Sequence, residues 1–193
     1  MSKPIFNVFL AVGENCESEA YALRATLEYF GIQVSTRWIG RPNDLIDIIS
    51  GNENLSHFDY LILSFHGDEQ RFCLPKLGAD IYTKNEPKSK FFSAKEILKF
   101  GALNRMKVIS SGCTLGAEPL AQAMLQAGAK LYIAPSDYID GNASLMFLTH
   151  FFYQLTLGCS SQVAFNKASS INKETQLYRF YKAKKSSRDH ENT

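Results

Sequence analysis

The chain has 193 residues, 45% hydrophobic and 12% aromatic, which suits one domain with a substantial core and leaves little room for a second. A net charge of +2 sets up no global field toward nucleic acid or an anionic membrane. The cysteines Cys16, Cys73, Cys113 and Cys159 form no C-x-x-C pair and have no histidine at ligand spacing, which argues against a metal site or redox motif and for free thiols in a reducing cytosol.

Met-Ser-Lys-Pro leads straight into an apolar strand, without the long apolar run of a signal peptide. Ile5 to Val12 reads as a buried strand closed by Gly13. Ser18 to Phe30 has apolar residues at helical period, and Gly31 stops it. Ile32 to Trp38 reads as a second strand, and Pro42 to Ile49 as a short helix. Phe58 to Phe65 is almost wholly apolar, as a strand buried on both faces should be, and runs into His66-Gly67. Asp68 to Phe92 breaks the rhythm with Pro75, Gly78 and Pro87; extended pieces at Arg71–Leu77 and Asp80–Thr83 predict a hairpin or ordered loop. Ser93-Ala94-Lys95-Glu96 is a capping box that opens a helix to Phe100.

Met106 to Ser111 is the next strand, and it runs into Gly112-Cys113. Pro119 opens a helix that Gly128 ends; Lys130 to Ala134 is a strand closed by Pro135. Asp140 to Leu157 reads as a long helix with an aromatic face, and Ser160 starts a last helix through Ser170. Its segment Leu145 to Leu157 contains His150, Gln154 and Thr156 and is too short to span a bilayer. Residues 171–193 hold six basic and three acidic groups and read as a solvated basic tail, so the expected organisation is one domain over 1–170 and a tail over 171–193. The alternation predicts a three-layer α/β/α sandwich around a mostly parallel central sheet.

The chemistry concentrates at two strand ends. His66 and Cys113 are 47 positions apart, enough for one crossover with a helix, so their strands can lie parallel and adjacent. A thiol beside an imidazole at the carboxyl edge of such a sheet suits nucleophilic catalysis: the imidazole takes or shares the thiol proton and later protonates a leaving amine. Gly67 and Gly112 leave room for a substrate backbone, and the Gly67 and Cys113 N–H groups are candidates for an oxyanion hole. A lone Cys or His at a strand end is more often packing or a polar cap; the coincidence of both, each beside a glycine, brings the dyad level with that reading. Val12-Gly13-Glu14-Asn15 lacks the glycines of a nucleotide loop, and no G-x-S-x-G elbow surrounds Ser110 or Ser111.

Phe58–Gly67 resembles the strand-His-Gly segment of caspase-like cysteine peptidases, and Ser110-Ser111-Gly112-Cys113-Thr114-Leu115-Gly116 resembles their strand-Ala-Cys-x-x-Gly segment, with Gly112 in the place of the Ala. Leu120–Ala129, Tyr132–Pro135, Ala143–Phe152, Leu155–Ser160 and Ala164–Ala168 look like the carboxyl half of a CHAT domain, here standing alone. The resemblance implies a caspase-like fold and a cytoplasmic endopeptidase without cofactor. In it Cys113 attacks a peptide carbonyl and His66 is the acid/base. The implied partners are a protein or peptide substrate and a separate regulator or self-association, with no nucleic acid. The alternative is a catalytically inactive fold of the same kind that serves as a binding module. Peptidases of this group choose a charged or polar side chain on the acyl side of the cut. Acids outnumber bases in the loops concerned, so a Lys or Arg pocket is expected, with Asp137 as its acid and Asp68 and Glu14 as further substrate-binding candidates.

Overall fold

A computed structural model describes residues 5–184. The central sheet has six strands: β1 (Asn7–Val12), β2 (Gln33–Trp38), β3 (Tyr60–Ser64), β7 (Lys107–Ser110), β8 (Leu131–Pro135) and β9 (Tyr178–Lys182). Their order across the sheet is β2-β1-β3-β7-β8-β9; the first five are parallel and β9 runs antiparallel to β8.

The alternation of side chains along each strand sends residues to two cores. Phe9, Ala11, Leu61, Leu63 and Val108 face one core with Leu45, Ile48 and Ile49 of α2 (Pro42–Ile49), Ile97 of α3 (Ala94–Phe100) and Leu120 and Met124 of α4 (Glu118–Gln126). Val8, Leu10, Val12, Tyr60 and Ile62 face the other with Leu23 and Leu27 of α1 (Glu17–Tyr29), Phe147 and Phe151 of α5 (Gly141–Thr156) and Ala164 of α6 (Ser161–Ser169). The central strands are buried on both faces, which is why they read as unbroken apolar runs. Every parallel strand points its carboxyl end to one edge, and that edge carries His66 and Cys113.

Two expectations differ from the structure. Asp80–Thr83 is turn and irregular chain rather than a strand. The extended residues of this region form a small antiparallel sheet of β4 (Gly67–Asp68), β5 (Arg71–Cys73) and β6 (Phe91–Phe92). The loop between β5 and β6 is pinned instead by the buried Glu86. Its carboxylate accepts from Arg41 Nε at 3.0 Å and Nη2 at 2.5 Å, from Asn43 N at 3.1 Å and from Thr83 N at 2.9 Å.

The second difference is at 171–182, read as tail. These residues add a short 3₁₀ turn, Thr175–Leu177, and then β9. Tyr178 is buried, stacks on Phe147 with ring centroids 3.6 Å apart and shares a 2.8 Å hydrogen bond with Ser144. The neighbouring Arg179 and Lys182 mask a strand that needs only its alternate residues apolar. The rest of the expected tail, residues 185–193, lies outside the described residues.

Candidate functional site

β3 and β7 are direct neighbours, with Leu63 paired to Ser110. Ser111 N continues the ladder to Leu63 O at 3.1 Å, so the register carried onward sets His66 across from Cys113. The two side chains line one cavity of about 250 Å³ at the carboxyl edge. His66 is exposed and Cys113 half-buried, so solvent reaches both.

Two glycines make this juxtaposition possible. A Cβ on Gly112 would run into the carbonyl oxygen of Phe65 and come within 2.6 Å of Leu115 Cδ1. A Cβ on Gly67 would run into the carbonyl oxygen of Cys113 and come within 2.8 Å of Leu115 Cγ. The sequence suggests that these glycines admit a substrate backbone; in the structure they admit each other's loop.

The residue after the thiol is strained. Thr114 has φ +61°, a left-handed conformation that a β-branched residue rarely adopts. Neighbouring loops hold it there: Thr114 N donates to Asp137 O at 3.1 Å, and Thr114 Oγ1 accepts from Gln70 N at 2.9 Å. Gln70 itself, in the tight turn between β4 and β5, has φ +65°. The turn that carries Cys113 is thus tied both to the His66 hairpin and to the loop after β8.

Among the described residues, both polar contacts of Cys113 Sγ are with one backbone. Ile139 N donates to the sulfur at 3.4 Å, and the thiol lies 3.5 Å from Ile139 O. The N–H can stabilise a thiolate, and the C=O holds the neutral thiol.

The acids expected near a substrate lie elsewhere. Asp137 Oδ1 accepts from the backbone N–H of Tyr138 at 2.8 Å, and Asp68 Oδ1 accepts from Tyr138 Oη at 2.8 Å. Glu14 is exposed. None of the three lines the cavity. Its carboxylate is Glu19, in the first turn of α1, whose Oε1 accepts from Ser64 Oγ at 2.9 Å. Sequence reasoning missed Glu19 because an acid in a first helical turn reads as an ordinary complement to the helix dipole. Cys16 also lines the cavity; burial pushes its thiol up to about 12, so it stays neutral. Ser144 on α5 also lines the cavity.

Among the described residues no cluster of His, Cys, Asp or Glu is arranged to hold a metal ion, and no helix is long and apolar enough to cross a membrane.

No family model matches the sequence, and no curated protein matches it. Solved structures do. Separase, in the Saccharomyces cerevisiae separase–securin complex, aligns with a TM-score of 0.58 at 10% identity, over 92% of this chain and 12% of the separase chain. The chain therefore corresponds to a small part of that protein's length. drICE aligns with a TM-score of 0.44 at 12% identity, over 91% of this chain and 88% of its own. A short-chain flavodoxin associated with a PDU bacterial microcompartment gives 0.38 at 17% identity, over 80% and 98%. The fold is the caspase-like α/β/α sandwich.

Proposed function

We propose that the chain is a caspase-like cysteine endopeptidase with Cys113 as nucleophile and His66 as general acid/base. The observation that carries this reading is the shared cavity at the carboxyl ends of two adjacent parallel strands, lined by an accessible thiol and an exposed imidazole. The Cys113 sulfur, its proton passed to His66, attacks the peptide carbonyl carbon. The C=O electron pair moves onto oxygen, where the Gly67 and Cys113 N–H groups stabilise it. On collapse the C–N bond breaks and the His66 imidazolium protonates the departing amine. Water, deprotonated by His66, then attacks the thioester and releases Cys113.

Glu19 extends the reading to the substrate. It puts a carboxylate on the wall of the cavity that the thiol also lines, and Ser64 Oγ fixes it by donating a hydrogen bond. A Lys or Arg side chain on the acyl side of the cut satisfies that carboxylate. The acid of the expected basic-residue pocket is then Glu19 in place of Asp137. A cytoplasmic setting suits the free thiols, and a separate regulator or self-association would control the activity.

One observation favours the second reading, a binding module without activity: Cys113 is engaged by the Ile139 backbone. Proteome-wide cleavage profiling of wild type against Cys113→Ala and His66→Ala separates the two. New protein termini that vanish in both variants, with circular dichroism unchanged, are expected. Identical termini in all three would overturn the peptidase reading and favour the binding module.

A further inference from the structure

At the amino edge of the sheet, opposite Cys113, the fold gathers positive charge. A concavity of about 270 Å³ is bordered by Arg105, Lys107 and Lys130, with Asn104 and Ser56 beside them. The gathering follows from topology. Lys107 opens β7, Lys130 immediately precedes β8, and the two strands are paired neighbours. Lys130 N donates to Met106 O at 2.8 Å, which fixes the two strand entrances side by side. Arg105 sits in the preceding turn at φ +64°, its N–H tied to Gly128 O at 2.8 Å.

These charges are not neutralised internally. Six ion pairs occur among the described residues, and none uses Arg105, Lys107 or Lys130. Asp59 is the one carboxylate bordering the concavity, and its Oδ2 already accepts from Asn7 N at 2.9 Å. Lys107 is half-buried, with Nζ 4.5 Å from the centre of the Tyr60 ring. Burial pushes its pKa down, Asp59 partly offsets this, and the like charge of Lys130 adds to the depression. Three cations thus converge against one carboxylate, at a cost that an added anion would relieve.

We propose that this concavity is a binding site for a small, multiply charged anion of the phosphate class, such as a polyphosphate or a phosphate ester. A guanidinium fork and two ammonium groups around a small cavity match clustered phosphate oxygens: Arg105 supplies paired donors, and the lysines supply point charges. The volume of about 270 Å³ suits such an ion, whereas an acidic peptide would need a longer groove. The site lies at the sheet edge opposite Cys113, so the proposal stands or falls independently of peptidase activity.

Titration calorimetry on the full chain carrying Cys113→Ala, at low ionic strength with inorganic tripolyphosphate as probe, tests it. Saturable binding is expected, weakening as salt is raised. Lys107→Gln with Lys130→Gln should weaken it at least about tenfold, while Lys95→Gln on α3 leaves it unchanged. Because the pair removes like-charge crowding, melting temperature without ligand should hold or rise in the double variant. If the double variant fails to fold, the exposed Lys130→Gln alone should still weaken binding several-fold. Absence of saturable binding at millimolar tripolyphosphate overturns the site, as does binding that the substitutions leave unchanged. Tighter binding of hexaglutamate than of tripolyphosphate reassigns the surface to an acidic peptide.

Discussion

Tyr138 Oη donates a 2.8 Å hydrogen bond to Asp68 Oδ1, joining the loop after β8 to the hairpin that follows His66. The carboxylate in turn raises the Tyr138 hydroxyl above its ordinary pKa, because the hydrogen bond favours the protonated phenol. Ile139, the next residue, grips Cys113 Sγ. The bond therefore fastens the segment that covers the thiol. Both partners are near the surface, so the bond adds little to global stability. Tyr138→Phe should leave global stability nearly unchanged and speed iodoacetamide labelling of Cys113 several-fold, read by peptide mass spectrometry. An unchanged labelling rate would show that other contacts hold the loop.

The two glycines make a sharper demand on stability. Gly112→Ala forces a methyl group against the Phe65 carbonyl and Leu115, both in the core of the site. Overpacking of this kind typically costs about 1–3 kcal/mol. Gly141→Ala, where a Cβ meets nothing within 4 Å, should be neutral or mildly stabilising in the first turn of α5. Urea melts of the two variants check the contrast. Equal midpoints would mean that the loops at Gly67 and Gly112 are looser than their contacts imply.

The Glu86 clasp predicts acid sensitivity. Arg41 first, and then the backbone N–H groups of Thr83 and Asn43, hold the Glu86 carboxyl at about 2, below its ordinary 4.5; burial opposes them. A depressed folded pKa contributes stability that is fully present above the unfolded value and is lost as pH falls through the folded one. Stability should therefore decline between about pH 4.5 and pH 2. Glu86→Gln should lower stability at pH 7 by about 2 kcal/mol, since a charged hydrogen-bond partner is lost. It should also flatten that part of the decline. Chemical denaturation at several pH values reads both effects. A parallel decline in wild type and variant would assign the acid sensitivity to other carboxylates.

The strands that carry His66 and Cys113 were legible because both faces of each are buried, leaving an uninterrupted apolar run that ends in Gly-flanked chemistry. Their pairing followed from crossover length. What stayed hidden was set by tertiary contact. β9 was hidden because Arg179 and Lys182 look like tail while Tyr178 packs on Phe147. The Glu86–Arg41 clasp joins residues 45 positions apart with no local pattern to mark them. Asp68, Asp137 and Glu14 were chosen by counting acids in loops, and counting cannot tell a carboxylate turned toward the cavity from one bonded to Tyr138. Glu19 was passed over because its helix gave it a sufficient local reason to be acidic.

That carboxylate yields the most discriminating test of substrate choice. Glu19 shares the cavity with Cys113 and His66, and Ser64 Oγ anchors it at 2.9 Å. Around it the wall offers Cys16 and Ser144, and no lysine or arginine lines the cavity to compete for it. A basic side chain bound there gains a charge-assisted hydrogen bond, worth about 1.5–3 kcal/mol. Glu19→Gln should then lower kcat/KM for peptides with Arg or Lys on the acyl side by about ten- to a hundredfold, and change a neutral analogue much less. Asp137→Ala should leave that preference intact, because its carboxylate is bonded to Tyr138 N outside the cavity. A fluorogenic peptide library read on the three proteins decides the matter. Preferred cleavage after Asp in the wild type would sink the assignment. An Arg preference that survives Glu19→Gln but is lost in Asp137→Ala would return the pocket to the loop after β8.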